Sequence, residues 1–158
     1  DLQQARRARG QAPQPRIAVV TGALGLDLDA AFFTDSPNRP IVVTAAAADP
    51  ERRDAAAAAA EVVIAGAGAS VDVGAALGAL ADGGARVVVC EGGPTLNADL
   101  ARADLVDELC LTVAPFVAGG HSKTIFAGAE LADPLRFRVA HVLEGDDGYL
   151  FVRYLRAR

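Results

Sequence analysis

The run Glu91-Gly92-Gly93-Pro94-Thr95 places a carboxylate, two glycines and a proline next to one another. Two glycines leave the backbone bare, so a bulky ligand can approach it closely. Pro94 suits the first turn of a helix, and the free N–H groups at a helix start favour an anion. These properties describe a diphosphate site. They equally describe a tight strand-to-helix turn that needs glycine for its shape alone, and local physics does not separate the two.

Glu91 follows the apolar run Val87–Cys90 and precedes the predicted helix. In open α/β sheets, ligands bind beyond the carboxyl ends of the strands. We therefore expect Glu91 to face a ligand, with capping of the following helix as the alternative. The sequence identifies no catalytic acid, and it contains no Ser/His/Asp or Cys/His spacing that would support nucleophilic hydrolysis.

Short apolar runs alternate with helical segments in the first part of the chain. The predicted strands are Ile17–Val20, Ile41–Thr44, Val62–Ala65 and Val87–Cys90. Asp49 as N-cap, with Pro50 at the first helical position, predicts a helix after the second strand. Another helix is predicted over about 72–81, with Ser70 as a possible cap and Gly83-Gly84 as its end. This alternation predicts a parallel sheet that helices cover on both faces.

The C-terminal third has longer predicted strands, and no helix separates the last two. Gly145-Asp146-Asp147-Gly148 predicts the hairpin turn between them. We therefore expect an α/β sandwich, mostly parallel and closed by an antiparallel edge pair, in a single domain without repeats or linkers. The alanine-rich stretch Ala55–Ala60 is interpreted as a helix that packs closely against the sheet.

Composition excludes several classes of protein. The 158 residues are 52% hydrophobic, and 15 basic against 20 acidic residues give a net charge of −5, which argues against nucleic-acid and membrane-surface binding. Arg6, Arg7 and Arg9 lie in a polar leader that we interpret as a frayed arm. Cys90 and Cys110 lie in apolar runs without metal-ligand spacing, so we expect reduced core thiols and no metal. Without a span of roughly 18 apolar residues or a signal peptide, a cytoplasmic protein is expected.

The stretch from Glu91 to Gly120, EGGPTLNADLARADLVDELCLTVAPFVAGG, resembles the reductase domain of riboflavin biosynthesis. This domain is the C-terminal half of the bifunctional deaminase-reductase. The resemblance extends over about 16–156, and Asp107-Glu108-Leu109 and Ala114-Pro115 also match the family pattern. It implies the three-layer fold of dihydrofolate reductase, NADPH as the hydride donor and a ribosylaminopyrimidine 5′-phosphate as the substrate.

The resemblance also implies roles for particular residues. Contacts with the cofactor diphosphate would come from Gly93, Pro94, Thr95 and Leu96, with Gly92 beside them. Thr21 and Gly22, and also Thr44, would lie by the adenosine half, and Glu91 would face the nicotinamide and the pyrimidine. A cis peptide bond between Gly92 and Gly93 is implied, and so is a homodimer built partly from the strands of 136–154.

The family's first strand, its serine-leucine-aspartate-glycine-like motif and its valine-glycine-threonine segment do not appear in this sequence. We therefore expect the domain to lack its N-terminal third, and with it part of the active site. Among the other polar residues, Lys123 is a candidate phosphate contact. His121 is expected to be a solvated loop residue, with a phosphate contact as the alternative. We expect His141 to be structural, and Asp107-Glu108 to order a turn or a subunit contact.

Two other functions fit the same residues. A dihydrofolate-reducing enzyme would use the same fold and cofactor site, because neither one determines the substrate. A nucleotide-binding or oligomer-forming module without turnover is the alternative outside the enzymes.

Overall fold

The computed structural model describes residues 1–120, 124–128 and 130–158. Its helices are α1 (Leu2–Ala8), α2 (Ala31–Thr34), α3 (Pro50–Ala59), α4 (Val73–Asp82) and α5 (Pro94–Arg102). Its strands are β1 (Ala18–Val20), β2 (Ile41–Thr44), β3 (Glu61–Ile64), β4 (Glu108–Val113), β5 (Phe137–Glu144) and β6 (Leu150–Arg156). The chain divides into two compact units, Asp1–Arg86 and Val87–Arg158. None of the described helices is both long enough and apolar enough to cross a membrane.

The first unit contains a parallel sheet with the strand order β1-β2-β3. Two helix starts set its connections. The Asp49 side chain accepts a hydrogen bond from the Arg52 N–H, and Pro50 is the first residue of α3, as the sequence predicted. Asp72 caps α4 in the same way by accepting from the Ala75 N–H, so Asp72 and not Ser70 begins this helix.

Both faces of this sheet are covered, as predicted. Side chains alternate along β2, so Val42 packs with Ala56 and Ala60 of the α3 segment on one face. Ile41 and Val43 pack on the other face with residues that include Ala76 of α4. The buried positions of Ala56 and Ala60 confirm that the alanine-rich helix lies close against the sheet.

The second unit contains an antiparallel sheet with the strand order β4-β6-β5. The turn between β5 and β6 is the predicted one: Gly145 N–H donates to the Tyr149 carbonyl, and Gly148 has a φ of 81°. Parallel and antiparallel strands together confirm the mixed α/β class. Closure of one sheet by an edge pair is not confirmed, because the antiparallel strands form a three-stranded sheet of their own.

The predicted strand Val87–Cys90 is wrong for this structure. Its residues form no ladder with any described strand, and Val87 and Val89 are 83% and 80% exposed. An apolar run becomes a strand only where a neighbouring strand supplies hydrogen-bonding partners. In the second unit, β4, β5 and β6 supply such partners to one another, and none of these strands pairs with Val87–Cys90.

The prediction of core thiols is also wrong, since Cys90 and Cys110 are both exposed. Cys110 lies on β4, where Leu109 and Leu111 are half-buried while Glu108, Cys110 and Thr112 alternate with them on the exposed side. The apolar pattern suggested a strand buried on both faces, but an antiparallel sheet can leave one face open.

The polar leader is helical and not a frayed arm. Asp1 accepts a hydrogen bond from the Gln3 N–H at the start of α1. The helix itself consists of leucine, glutamine, alanine and arginine, which all have high helix propensity.

Candidate functional site

The two glycines form a sharp turn directly before α5. Gly92 has a φ of +93°, which favours glycine, and the Gly92–Gly93 peptide bond is cis, as predicted. A Cβ atom on Gly92 would lie 3.5 Å from the Asn97 side-chain nitrogen. Pro94 then begins α5, which confirms its predicted place in the first helical turn.

The start of α5 is open toward a ligand. Gly93 is its N-cap, and no side chain in the described ranges caps this end of the helix. A Cβ atom built on Gly93 would meet nothing within 4 Å. Because the N–H groups of a first helical turn have no partners within their own helix and carry partial positive charge, the arrangement can accept an anion. Thr95, in the first turn of α5, is exposed.

A segment formed by residues 124–128 lies along α5 and is fastened to its first turn. Asn97 Nδ2 donates to the Ile125 carbonyl at 2.9 Å, and the Ala127 N–H donates to the Pro94 carbonyl at 3.0 Å. Asn97 was not among the predicted site residues. No signal in the sequence marks it, because its partner is 28 residues away.

The other predicted cofactor residues lie in the first unit, at the carboxyl ends of its parallel strands. Thr21 Oγ1 accepts a hydrogen bond from the Leu24 N–H, and a Cβ on Gly22 would press against the Ala69 carbonyl at 3.2 Å. Thr44 is fully buried, and its hydroxyl finds no hydrogen-bonding partner among the described residues. These residues therefore shape the strand ends, and their predicted contacts with a nucleotide stay predictions.

A hollow of about 330 Å³ opens near these strand ends, between the loop 24–28 and the first turns of α3. Leucine and alanine side chains line it together with Arg52, whose Nη1 donates to the Ala23 carbonyl at 3.1 Å. Arg52 was not predicted as part of a concave surface, because the sequence at the start of α3 indicates only a helix cap.

The remaining candidates are spread over the second unit. Glu91 is exposed next to the glycine turn. On β4, the hydrogen bond from Arg153 lowers the pKa of the Glu108 carboxyl group, and the hydrogen bond with Glu108 raises the pKa of the Cys110 thiol. A raised pKa keeps the thiol protonated, which does not suit a nucleophile.

Asp107 and Glu108 order the start of β4 through ion pairs within the chain, with Arg158 and Arg153 respectively. His141 lies on β5 in register with Arg153. His121 and Lys123 lie outside the described residues. In the part of the chain that is described, no three histidine, cysteine, aspartate or glutamate side chains come together as metal ligands would.

Two curated relatives are both named 2,5-diamino-6-ribosylamino-4(3H)-pyrimidinone 5′-phosphate reductase. The one from Methanothermobacter thermautotrophicus is 34% identical over 63% of this chain and 47% of its own length. The one from Archaeoglobus fulgidus is 29% identical over 92% of this chain and 66% of its own length. The chain thus spans between about half and two thirds of these relatives.

Solved structures show the same fold. A pyrimidine reductase-like protein from Corynebacterium diphtheriae matches 99% of this chain and 66% of its own, with a TM-score of 0.83 and 23% identity. RibD from Acinetobacter baumannii matches 91% of this chain and 38% of its own, with a TM-score of 0.72 and 22% identity. The sequence profile of the RibD C-terminal domain matches residues 2–151. The chain therefore belongs to the RibD C-terminal domain family.

Proposed function

We propose that this chain is the cofactor-binding reductase domain of an NADPH-dependent enzyme of riboflavin biosynthesis. The reaction would reduce a ribosylaminopyrimidine 5′-phosphate to its ribitylamino form. The names of the two curated relatives support the substrate class. The turn before α5 is the observation that carries the proposal, because it combines a bare backbone with an uncapped helix start in a chain of this family.

The residues at this turn fit a dinucleotide diphosphate. Gly93 has open space above it, so a phosphate oxygen can reach the backbone without displacing a side chain. Thr95 adds a hydroxyl that is exposed at the same end of α5. We assign the diphosphate contacts to Gly92, Gly93, Pro94, Thr95 and Leu96. From the resemblance, Thr21, Gly22 and Thr44 stay predicted neighbours of the adenosine half.

The bound nicotinamide would supply the hydride, and the protein's own groups would orient the substrate. Glu91 is exposed directly before the turn, so its carboxylate can accept hydrogen bonds from a pyrimidine or a sugar hydroxyl. Reduction of the ribosylamino group also requires a proton. We assign no residue to that step.

The proposal is tested by titrating the protein with NADPH and following nucleotide fluorescence. Oxidation of NADPH is then followed by its absorbance with the ribosylaminopyrimidine 5′-phosphate and with dihydrofolate in separate reactions. We expect weak but saturable binding by this chain. Oxidation with the pyrimidine only is expected in the full-length protein, because the resemblance places part of the active site in the family's N-terminal segments. Oxidation with dihydrofolate alone would identify dihydrofolate as the substrate in place of the pyrimidine. Binding without oxidation would indicate a nucleotide-binding module. Absence of binding would overturn the proposal.

We also propose a homodimer that uses the antiparallel sheet. In the described strands, β4 and β5 are the two edges of the order β4-β6-β5, and on β5 the apolar residues Val139, Val142 and Leu143 are at least half exposed. Exposed apolar strands at a sheet edge favour pairing with another copy. We expect sedimentation velocity at micromolar concentration to give twice the mass of one chain. A single species with the mass of one chain would contradict the dimer.

A further inference from the structure

Asn97 is the one side chain in the described part of the second unit that joins the glycine turn to the neighbouring segment 124–128. Its backbone N–H donates to the Gly93 carbonyl at 3.0 Å, which is the first hydrogen bond of α5. Its side-chain Nδ2 donates to the Ile125 carbonyl at 2.9 Å. Its Oδ1 accepts from the Cys90 thiol at 3.4 Å. One residue therefore contacts the chain before the turn, the turn itself and the segment beside it.

The segment 124–128 has further contacts with α5 on the same side. The Ala127 N–H donates to the Pro94 carbonyl, and a Cβ on Gly128 would lie 3.6 Å from the Arg102 guanidinium and 3.8 Å from the Ala98 methyl group. The segment thus follows α5 for more than one turn. Asn97 is half-buried as a residue and lies at the end of this contact that is nearest to the glycines.

We infer that Asn97 is a positioning residue, which holds the segment 124–128 against the turn that binds the cofactor diphosphate. The identity of the ligand in this inference rests on the proposed function. The tether between Asn97 and the segment 124–128 does not, because its hydrogen bonds lie within the chain itself. An asparagine side chain suits this role because one amide carries both a donor and an acceptor, and here each has a partner.

The matched control is Asn38, whose Nδ2 also donates to a distant backbone carbonyl, that of Gln14 at 3.1 Å, but in the first unit. Hydrogen–deuterium exchange of the protein without nucleotide reports on the tether directly. In Asn97→Ala and in the isosteric Asn97→Asp, which lacks the amide donor, we expect the Ala127 amide to exchange faster than in the wild type. In Asn38→Ala we expect no change there.

Nucleotide affinity is then measured on Asn97→Ala, because a new carboxylate in Asn97→Asp would itself repel an anion. We expect a roughly three- to tenfold higher Kd for NADPH, as for one lost hydrogen bond, with the Kd of Asn38→Ala unchanged. In turnover by the full-length protein, KM for NADPH should rise by a similar factor while kcat changes less. A merely structural role would lower the melting temperature and leave the Kd of the folded fraction unchanged.

The possible failures are distinguishable. Absence of NADPH binding to the wild type would overturn the proposed function, and the exchange experiment would still decide whether Asn97 holds the segment. Unchanged exchange at Ala127 in both Asn97 variants would overturn the tether. Faster exchange with an unchanged Kd would overturn the positioning role and leave the proposed function in place.

Discussion

Gly93→Val is expected to raise the Kd for NADPH at least about tenfold. The branched side chain would occupy the space above the turn that the proposed diphosphate needs. Each charge-assisted hydrogen bond to a phosphate contributes about 1.5–3 kcal/mol, and 1.4 kcal/mol corresponds to a factor of ten in affinity. The loss of even one such bond therefore exceeds tenfold. Fluorescence titration with NADPH measures the change.

Folding of the Gly93→Val variant and a second variant, Thr95→Val, serve as controls. Gly93 has a φ of −73° and no neighbour within 4 Å of a built Cβ, so the described contacts leave room for the valine in the free protein. We expect the circular dichroism of the variant to match the wild type. Thr95→Val should weaken binding less, because one neutral hydroxyl hydrogen bond contributes roughly 0.5–1.5 kcal/mol. An unchanged Kd for Gly93→Val would remove the diphosphate from this turn.

Gly66→Val is expected to destabilise the first unit by about 3 kcal/mol. Gly66 has a φ of +109°, which β-branched residues avoid, and a Cβ there would lie 2.5 Å from the Ser70 carbonyl oxygen. Its own carbonyl accepts the Ala46 N–H beyond β2, so a shift would also loosen the strand ends next to Thr44. Urea unfolding measures the free energy.

Gly68→Val is the matched control in the same loop. The Gly68 carbonyl also accepts a hydrogen bond across the strand ends, from Ala47, but a Cβ there has open space. We expect its effect to stay within about 0.5 kcal/mol, as for most surface substitutions. Equal stability of the two variants would show that neither the left-handed backbone nor the contact with Ser70 matters.

The features that depend on neighbouring residues could be predicted from the sequence. Asp49-Pro50 determines the start of α3, and Gly93-Pro94 the start of α5, because capping and proline geometry act within one helical turn. The hairpin turn at Gly145–Gly148 was predictable for the same reason. The family signature then placed the candidate cofactor site on the second of these helices.

The features that depend on distant partners could not be predicted. The apolar composition of Val87–Cys90 is that of a strand, but composition does not reveal whether another strand lies beside it. Cys110 is exposed because only one face of β4 is covered, which the sequence of β4 alone does not specify. Asn97 and Arg52 gain their importance from carbonyl groups 28 and 29 residues away. Such contacts exist only after folding.

Most of the buried apolar residues that the structure describes are alanines, among them Ala56, Ala60 and Ala76 around the parallel sheet. The side chain of alanine is a single methyl group, so its truncation to glycine removes little buried area. Enlarging one of these side chains is more costly, because an added methylene group must push a helix away from the strands at a cost of about 1–3 kcal/mol. This core therefore tolerates smaller side chains better than larger ones. At the helical positions Ala56 and Ala76, substitution by glycine is limited mainly by helix propensity, whereas substitution by valine or leucine is limited by volume.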